Sequence, residues 1–240
     1  MELQIAKQQF FNNGALLLPS LTDAAGAPLR ARVQDWLERD YDLVHKARKN
    51  ATEGIDAKQL NVALRAALAG TIAGIHLETH VEYGAFFHQG TNGFDFSLYD
   101  EEDDLIRLRN AFLGDPGRYG GLEALLDQHR KLKLDREELR ARIEAIGGTP
   151  GQDVPHEKRR LTVVGELQFG NWALVKHDLL RLLNCADEVG IDYYIYIAAT
   201  GRLLRMLSQG VVDFDRATEA VVENRRLLKT PMWVIGLDVR

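Results

Sequence analysis

Glu166 and Gln168 stand two residues apart in "LTVVGELQF" (Leu161–Phe169), a stretch that is otherwise apolar or small. Side chains alternate along a strand, so the two polar groups share one face. A buried charge without a partner is costly, so that face must meet water, a partner side chain, a metal or a substrate. The plain alternative is a strand near a sheet edge with both groups solvated. Against it, "LTVV" is apolar on both faces, which suits an interior strand. A hard cation such as Mg²⁺ takes oxygen ligands, typically one or two carboxylates plus waters and phosphate oxygens. Asp95 lies between two phenylalanines in "GFDFSLYD" and supplies a second carboxylate on a short expected strand. With Glu166 it would hold such an ion if the two strands are neighbours. An exposed strand aspartate is its ordinary alternative.

Other candidates are weaker. His76 and His80 are four apart on an expected helix, the spacing of a two-ligand metal face, but no glutamate follows His76 directly. Solvated or core histidines are the better reading. The acidic run Asp100–Asp104 reads as a solvated helix start. "GAFFHQGTNG" lacks the spacing of a phosphate-binding loop, and no Gly-x-Ser-x-Gly elbow occurs. Basic residues cluster at His129–Lys133, Lys158–Arg160, Arg202–Arg205 and Arg225–Lys229. Each alone suits a solvated face. Those flanking the Glu-x-Gln strand and those after the next strand would form a cleft if they converge.

The elements that must position these groups fall into three blocks. The first, residues 1–90, reads as helical: Ala27–Asn50 has apolar residues at three- and four-residue spacing, and Asp56 stands in N-cap position before a helix running to Phe87, with Gly70 and Gly74 marking close packing or a break. Turn residues from His88 then lead into the strand Phe94–Tyr99. The second block, residues 105–160, reads as an insertion: a loop at Gly114–Gly121, a charged helix or helical pair over Leu122–Gly148 ended by glycines, and a loop at Thr149–Arg160. From Leu161 the rhythm is α/β: the Glu-x-Gln strand, a helix ending at Gly190, the β-prone strand Ile191–Thr200, a short helix in "GRLLRMLSQG", a helix over Asp215–Lys229 and a closing strand Met232–Val239. Strands alternating with helices imply a central mixed or parallel sheet flanked by helices, an α/β fold. The expectation is one domain over 1–240, with its core formed by 91–104 and 161–240.

Composition sets the outer limits. The 240 residues are 45% hydrophobic, enough for a sizeable core. No apolar run reaches membrane-spanning length, and the first residues lack the pattern of a signal peptide. Cys185 is the only cysteine, which excludes an internal disulfide framework and a cysteine-based zinc site and suits a cytoplasmic setting. A net charge of −5 argues against indiscriminate nucleic-acid binding but permits a local basic cleft.

"LTVVGELQFGNWALVKHDLLRLL" resembles the active-site strand and following helix of the BglII-type restriction endonucleases, a branch of the PD-(D/E)xK nuclease superfamily. In that branch a glutamine replaces the usual lysine and an asparagine follows shortly after. Those positions here are Glu166, Gln168 and Asn171. The similarity continues through "IDYYIYIAATGRLL" and "DFDRATEAVVENRRLLKTPMWVIGLD", and "GFDFSLYD" is similar to the strand carrying the metal-binding aspartate. The sequence departs from the family where the aspartate and Glu-x-Gln strands, usually a compact hairpin, stand far apart. Either the charged block is inserted in that hairpin or the aspartate is Asp153, which lies in a Gly/Pro-rich loop without strand character; Asp95 is therefore preferred.

The resemblance implies a restriction-endonuclease-like fold and Mg²⁺-dependent hydrolysis of double-stranded DNA at a short palindromic sequence. Asp95, Glu166 and the backbone carbonyl of Leu167 would hold the metal. Gln168 would orient a water, leaving its proton to another water, to hydroxide or to a substrate phosphate, because a carboxamide has no useful basicity. Asn171 would contact DNA or position the site, and Thr200, Arg202 and Arg205 are the candidates for groove contact. A two-fold DNA site implies a homodimer, and restriction implies a DNA methyltransferase in the same system, though not as a stable partner. A catalytically silent DNA-binding domain and a repair nuclease of the same fold are the alternatives.

Overall fold

The computed structural model describes residues 1–43, 46–47, 53–88, 93–115, 117–207 and 209–240. In chain order, the strands are β1 (Leu3–Phe11), β2 (Lys46–Ala47), β3 (Glu53–Gly54), β4 (His76–Glu82), β5 (Ala85–Phe87), β6 (Phe94–Leu98), β7 (Thr162–Gln168), β8 (Ile191–Ala199) and β9 (Met232–Val239). The helices are α1 (Gly14–Leu17), α2 (Leu29–Leu37), α3 (Ala57–Thr71), α4 (Glu101–Leu113), α5 (Gly121–Leu126), α6 (Arg136–Ile146), α7 (Leu174–Ala186), α8 (Gly201–Met206) and α9 (Phe214–Asn224). A seven-stranded mixed sheet runs in the order β1-β9-β8-β7-β6-β4-β5. β7, β8 and β9 are parallel; β6 and β4 pair antiparallel on one side and β1 on the other.

Period-two alternation on β7, β8 and β9 sorts their side chains to two faces. Val163, Leu167, Ile195, Ile197, Trp233 and Ile235 pack on α2 and α3, with Trp36, Leu60, Leu64 and Leu68 opposite. Val164, Tyr194, Tyr196 and Val234 pack on α7 and α9, with Val175, Leu179, Leu182 and Val221 opposite. A third apolar cluster joins α4, α5 and α6 to β5 through Phe87, Leu108, Phe112, Leu126 and Leu139. The block between β6 and β7 thus has a core of its own, and β6 still meets β7 with Phe96 opposite Gly165. The charged helical block is inserted into the hairpin, as one of the two sequence alternatives requires.

The first ninety residues are not wholly helical. They supply β1, β4 and β5 to the main sheet. β1 carries three glutamines and a lysine and buries only Leu3 fully, so an edge position beside β9, and not propensity, makes it a strand. Asp56 caps α3 as expected, its side chain accepting from Lys58 N at 2.9 Å. The helix stops at Thr71, however, and Gly74 (φ +74°) turns the chain into β4. His76 and His80 therefore lie on a strand, and their helical spacing is lost. The helix expected over Ala27–Asn50 covers only Leu29–Leu37; of its remainder, residues 44–45 and 48–50 lie outside the described residues, as do 89–92, Pro116 and Ser208, on which other sequence expectations fall. The acidic run does start α4, with Asp100 accepting from Glu102 N at 3.2 Å, but Asp103 and Asp104 are buried and not solvated. Asp103 takes Arg107 at 2.8 Å and His156, and Asp104 accepts Phe86 N at 2.9 Å, which ties α4 to β5.

Candidate active site

β7 is an interior strand, and both of its polar groups are buried: Glu166 is 4% and Gln168 8% exposed. The solvated-edge reading fails because β6 and β8 flank this strand. The face shared by Glu166 and Gln168 looks onto α7, which answers them with Asp178 and Arg181. Gln168 Nε2 donates to Asp178 Oδ2 at 2.8 Å, and Gln168 Oε1 accepts Gly170 N at 3.0 Å. Tyr196 on β8 donates to the same Asp178 oxygen at 3.3 Å. Arg181 donates to Glu166 Oε1 and lies 3.5 Å from Asp178 Oδ1.

Asp95 enters from β6. Its Oδ2 accepts Leu167 N at 2.6 Å, which sets the aspartate beside the Glu-x-Gln strand. In an extended strand the N–H and C=O of one residue lie along the same edge. The Leu167 carbonyl therefore faces the Asp95 side as well. The other Asp95 oxygen receives Arg65 of α3, whose second nitrogen donates to Glu78 Oε1 at 2.6 Å. Glu78 has φ +54° and stands opposite Asp95, between the pairs Leu77–Phe96 and Thr79–Phe94. A left-handed conformation at a non-glycine residue is strained, and such strain concentrates at functional sites.

Gly165 makes the approach of β6 possible. A Cβ at this position would lie 2.1 Å from Phe96 Cζ and 2.6 Å from the Ile195 carbonyl oxygen. Gly165→Ala should lose about 1–3 kcal/mol by overpacking against rigid neighbours. Denaturant unfolding checks this, and a variant as stable as the parent would show that the ring is free to move.

Electrostatically the site is short of positive charge. Burial, and then the charges of Asp95 and Asp178, push the Glu166 carboxyl well above the usual carboxylate range despite its contact with Arg181. Burial likewise raises Asp178 against the pull of Gln168 and Arg181. The ion pairs and these upward shifts point in opposite directions. The geometry is compatible with both, since two guanidiniums serve four carboxylates (Asp95, Glu166, Asp178 and Glu78).

Among the described residues no group of three or more histidine, cysteine, aspartate or glutamate side chains is arranged to hold a metal. A Mg²⁺ ion does not need one: one or two carboxylates suffice when waters and a substrate phosphate complete the octahedron. Asp95, Glu166 and the Leu167 carbonyl fit that donor set, and the uncompensated negative charge favours a cation there. Asp153 is elsewhere. Its Oδ1 accepts Asp115 N at 3.2 Å and holds a turn of the insertion.

The parallel register brings the remaining candidates to the same end of the sheet. Gln168 is opposite Ala198, so Thr200 lies just beyond the end of β8 on the site's side. Thr200 is buried, with its N–H donating to Leu237 O at 2.9 Å, whereas Arg202 is exposed at the start of α8. Arg205 lies on the last turn of that helix. Asn171 is exposed just before α7, its Oδ1 accepting Ala173 N at 3.0 Å. The convergence of basic clusters is only partial. Lys158 bonds Gly190 O at 2.9 Å and Asp192, at the opposite end of β7 and β8 from Glu166.

Arg65, Glu78, Asp178 and Arg181 are parts of the site that the sequence reading misses. Asp178 carried a signal. Val175, Asp178, Leu179 and Leu182 form the buried stripe of α7, so an aspartate holds an apolar position of an amphipathic helix.

The fold aligns with the crystal structure of restriction endonuclease BglII complexed with a DNA 16-mer at a TM-score of 0.51, covering 98% of this chain and 76% of that one at 12% identity. This likeness carries the fold, a mixed sheet with helices on both faces that is the restriction-endonuclease architecture expected from the sequence. No curated protein matches the chain. Residues 125–237, from within α5 into β9, match the family of restriction endonuclease BglII/BglIII. This match and the shared fold support a reading as a BglII-type restriction endonuclease. The matched span includes Glu166, Gln168 and Asn171 and starts after Asp95.

Proposed function

We propose that the protein is a type II restriction enzyme that uses Mg²⁺ to hydrolyse phosphodiester bonds of double-stranded DNA at a short palindromic sequence, acting as a homodimer. The observation that carries this reading is the meeting of Asp95 with the Glu-x-Gln strand at the C-terminal end of β7. When bound there, Mg²⁺ supplies acidity to water and neutralises charge growing on the phosphate. Asp95, Glu166 and the Leu167 carbonyl would hold it. Gln168 is pinned through one N–H and one oxygen lone pair. A carboxamide offers two donors and two acceptor sites, so one of each remains to orient a water. Asn171, Arg202 and Arg205 meet the DNA, and Thr200 shapes the loop that presents the two arginines. A palindrome is matched by two-fold protein symmetry. No helix among the described residues is long and apolar enough to cross a membrane. On this reading the enzyme works in the cytoplasm, beside a methyltransferase that protects the host's own sites.

Ca²⁺ shares the oxygen chemistry of Mg²⁺ with looser geometry. It should raise affinity for a cognate duplex without cleavage, and affinity should fall steeply with monovalent salt as phosphate contacts release counterions. The site is first found by digesting a long DNA with Mg²⁺ and sequencing the fragment ends. Binding titrations on it, with and without Ca²⁺ at two salt concentrations, then test the reading. Affinity indifferent to both would sink it.

A further inference from the structure

Each of the two site arginines divides its guanidinium between one proposed metal ligand and one carboxylate outside that set. Arg65 joins Asp95 to Glu78, and Arg181 joins Glu166 to Asp178 while also meeting His177 Nδ1 at 3.2 Å. Both side chains are mostly buried, at 27% and 14% exposure. The Nε of each is also buried and without a hydrogen-bond partner. A guanidinium has five N–H donors in a fixed fork, so neither group is fully satisfied where it lies. The arginines come from opposite faces of the sheet, α3 and α7, and point positive charge at the two carboxylates that face each other.

We propose that Arg65 and Arg181 are built-in counter-cations: they hold Asp95 and Glu166 while no divalent ion is bound, and they must be displaced onto Glu78 and Asp178 for the ion to load. This rests on the metal-dependent reading above. The arginines keep like-charged carboxylates together in the free protein, and the outer carboxylates keep the arginines from leaving altogether. Loading is then an exchange of cations, and its cost is the loss of one ion pair per arginine. An enzyme built this way binds its metal weakly until substrate phosphate adds its own oxygens, which ties metal loading to DNA.

The test is Ca²⁺ binding to the full chain without DNA, by calorimetry, in the parent, Arg181→Met and Arg65→Met. Methionine keeps much of the side-chain volume and removes the charge. Each variant should bind Ca²⁺ at least about tenfold more tightly than the parent, since the competitor is gone. Each should also melt lower than the parent in chelator and gain more from Ca²⁺. Lys7→Met, at the exposed β1 pair with Asp215, should behave like the parent. Unchanged or weaker Ca²⁺ binding in folded arginine variants overturns the proposal while leaving the metal site standing. Absence of any Glu166-dependent Ca²⁺ binding, in parent and variants alike, overturns the metal reading and the proposal together. If the methionine variants do not fold, nitrogen-15 spectra of the parent decide: Ca²⁺ should shift the Nε–H signals of two arginines, and invariant arginine signals under saturating Ca²⁺ would refute displacement.

Discussion

Glu166→Gln is expected to reduce DNA cleavage by at least about three orders of magnitude, roughly 4 kcal/mol of barrier, while the protein stays folded. The neutral amide keeps the volume of the carboxylate and an oxygen to accept from Arg181. It removes the negative charge that a divalent ion needs and that burial already makes costly. The core residues on both sides of the position, Val164 and Leu167, are untouched. Cleavage rates on a plasmid carrying the recognition site, set beside thermal unfolding of both proteins, separate the two effects. A folded variant that cuts at the parent's rate would remove Glu166 from the chemistry.

Asp95→Asn should be equally inactive, and Asp153→Asn should cut normally. Asp95 faces Glu166 and accepts the Leu167 N–H through one oxygen and Arg65 through the other. An asparagine must turn an NH₂ toward one of these two donors, so it loses a hydrogen bond as well as the charge. Asp153 holds only the Asp115 turn in the insertion, where an asparagine oxygen serves as well. Parallel assays of the two variants at saturating Mg²⁺ decide the matter. An inactive Asp153→Asn beside an active Asp95→Asn would place the metal aspartate on the insertion instead.

The C-terminal half of the fold is legible because its strands are strongly β-prone and buried on both faces, and its helices keep a regular apolar stripe. "IDYYIYIAA" and "MWVIGLDV" become β8 and β9 at close to their expected bounds. β1 is not legible, since a glutamine-rich edge strand is defined by its partner β9 at the far end of the sequence. β4 was obscured by the continuous apolar pattern running from α3, and only Gly74 marks the change. For the site, Glu166 and Gln168 stood out because polar groups broke an apolar strand. The two arginines did not, because Arg65 and Arg181 look like ordinary helix-surface arginines until tertiary packing brings α3 and α7 to the sheet.

The hairpin interrupted by α4, α5 and α6 also bears on how the enzyme comes to be assembled. The chain leaves the sheet at Leu98 and returns at Thr162, yet these ends belong to adjacent strands. Loop-closure entropy grows only logarithmically, about 0.6 kcal/mol for each doubling of length, so the inserted block costs the native state little. It costs more in time, because pairings distant in sequence form slowly. The apolar cluster that α4, α5 and α6 share with β5 is built largely from residues within the detour, so once formed it shortens the effective loop. Asp95 and Glu166 sit on either side of this detour. A chain emerging from the ribosome therefore cannot bring the strand of Asp95 against that of Glu166 until the whole block has been made.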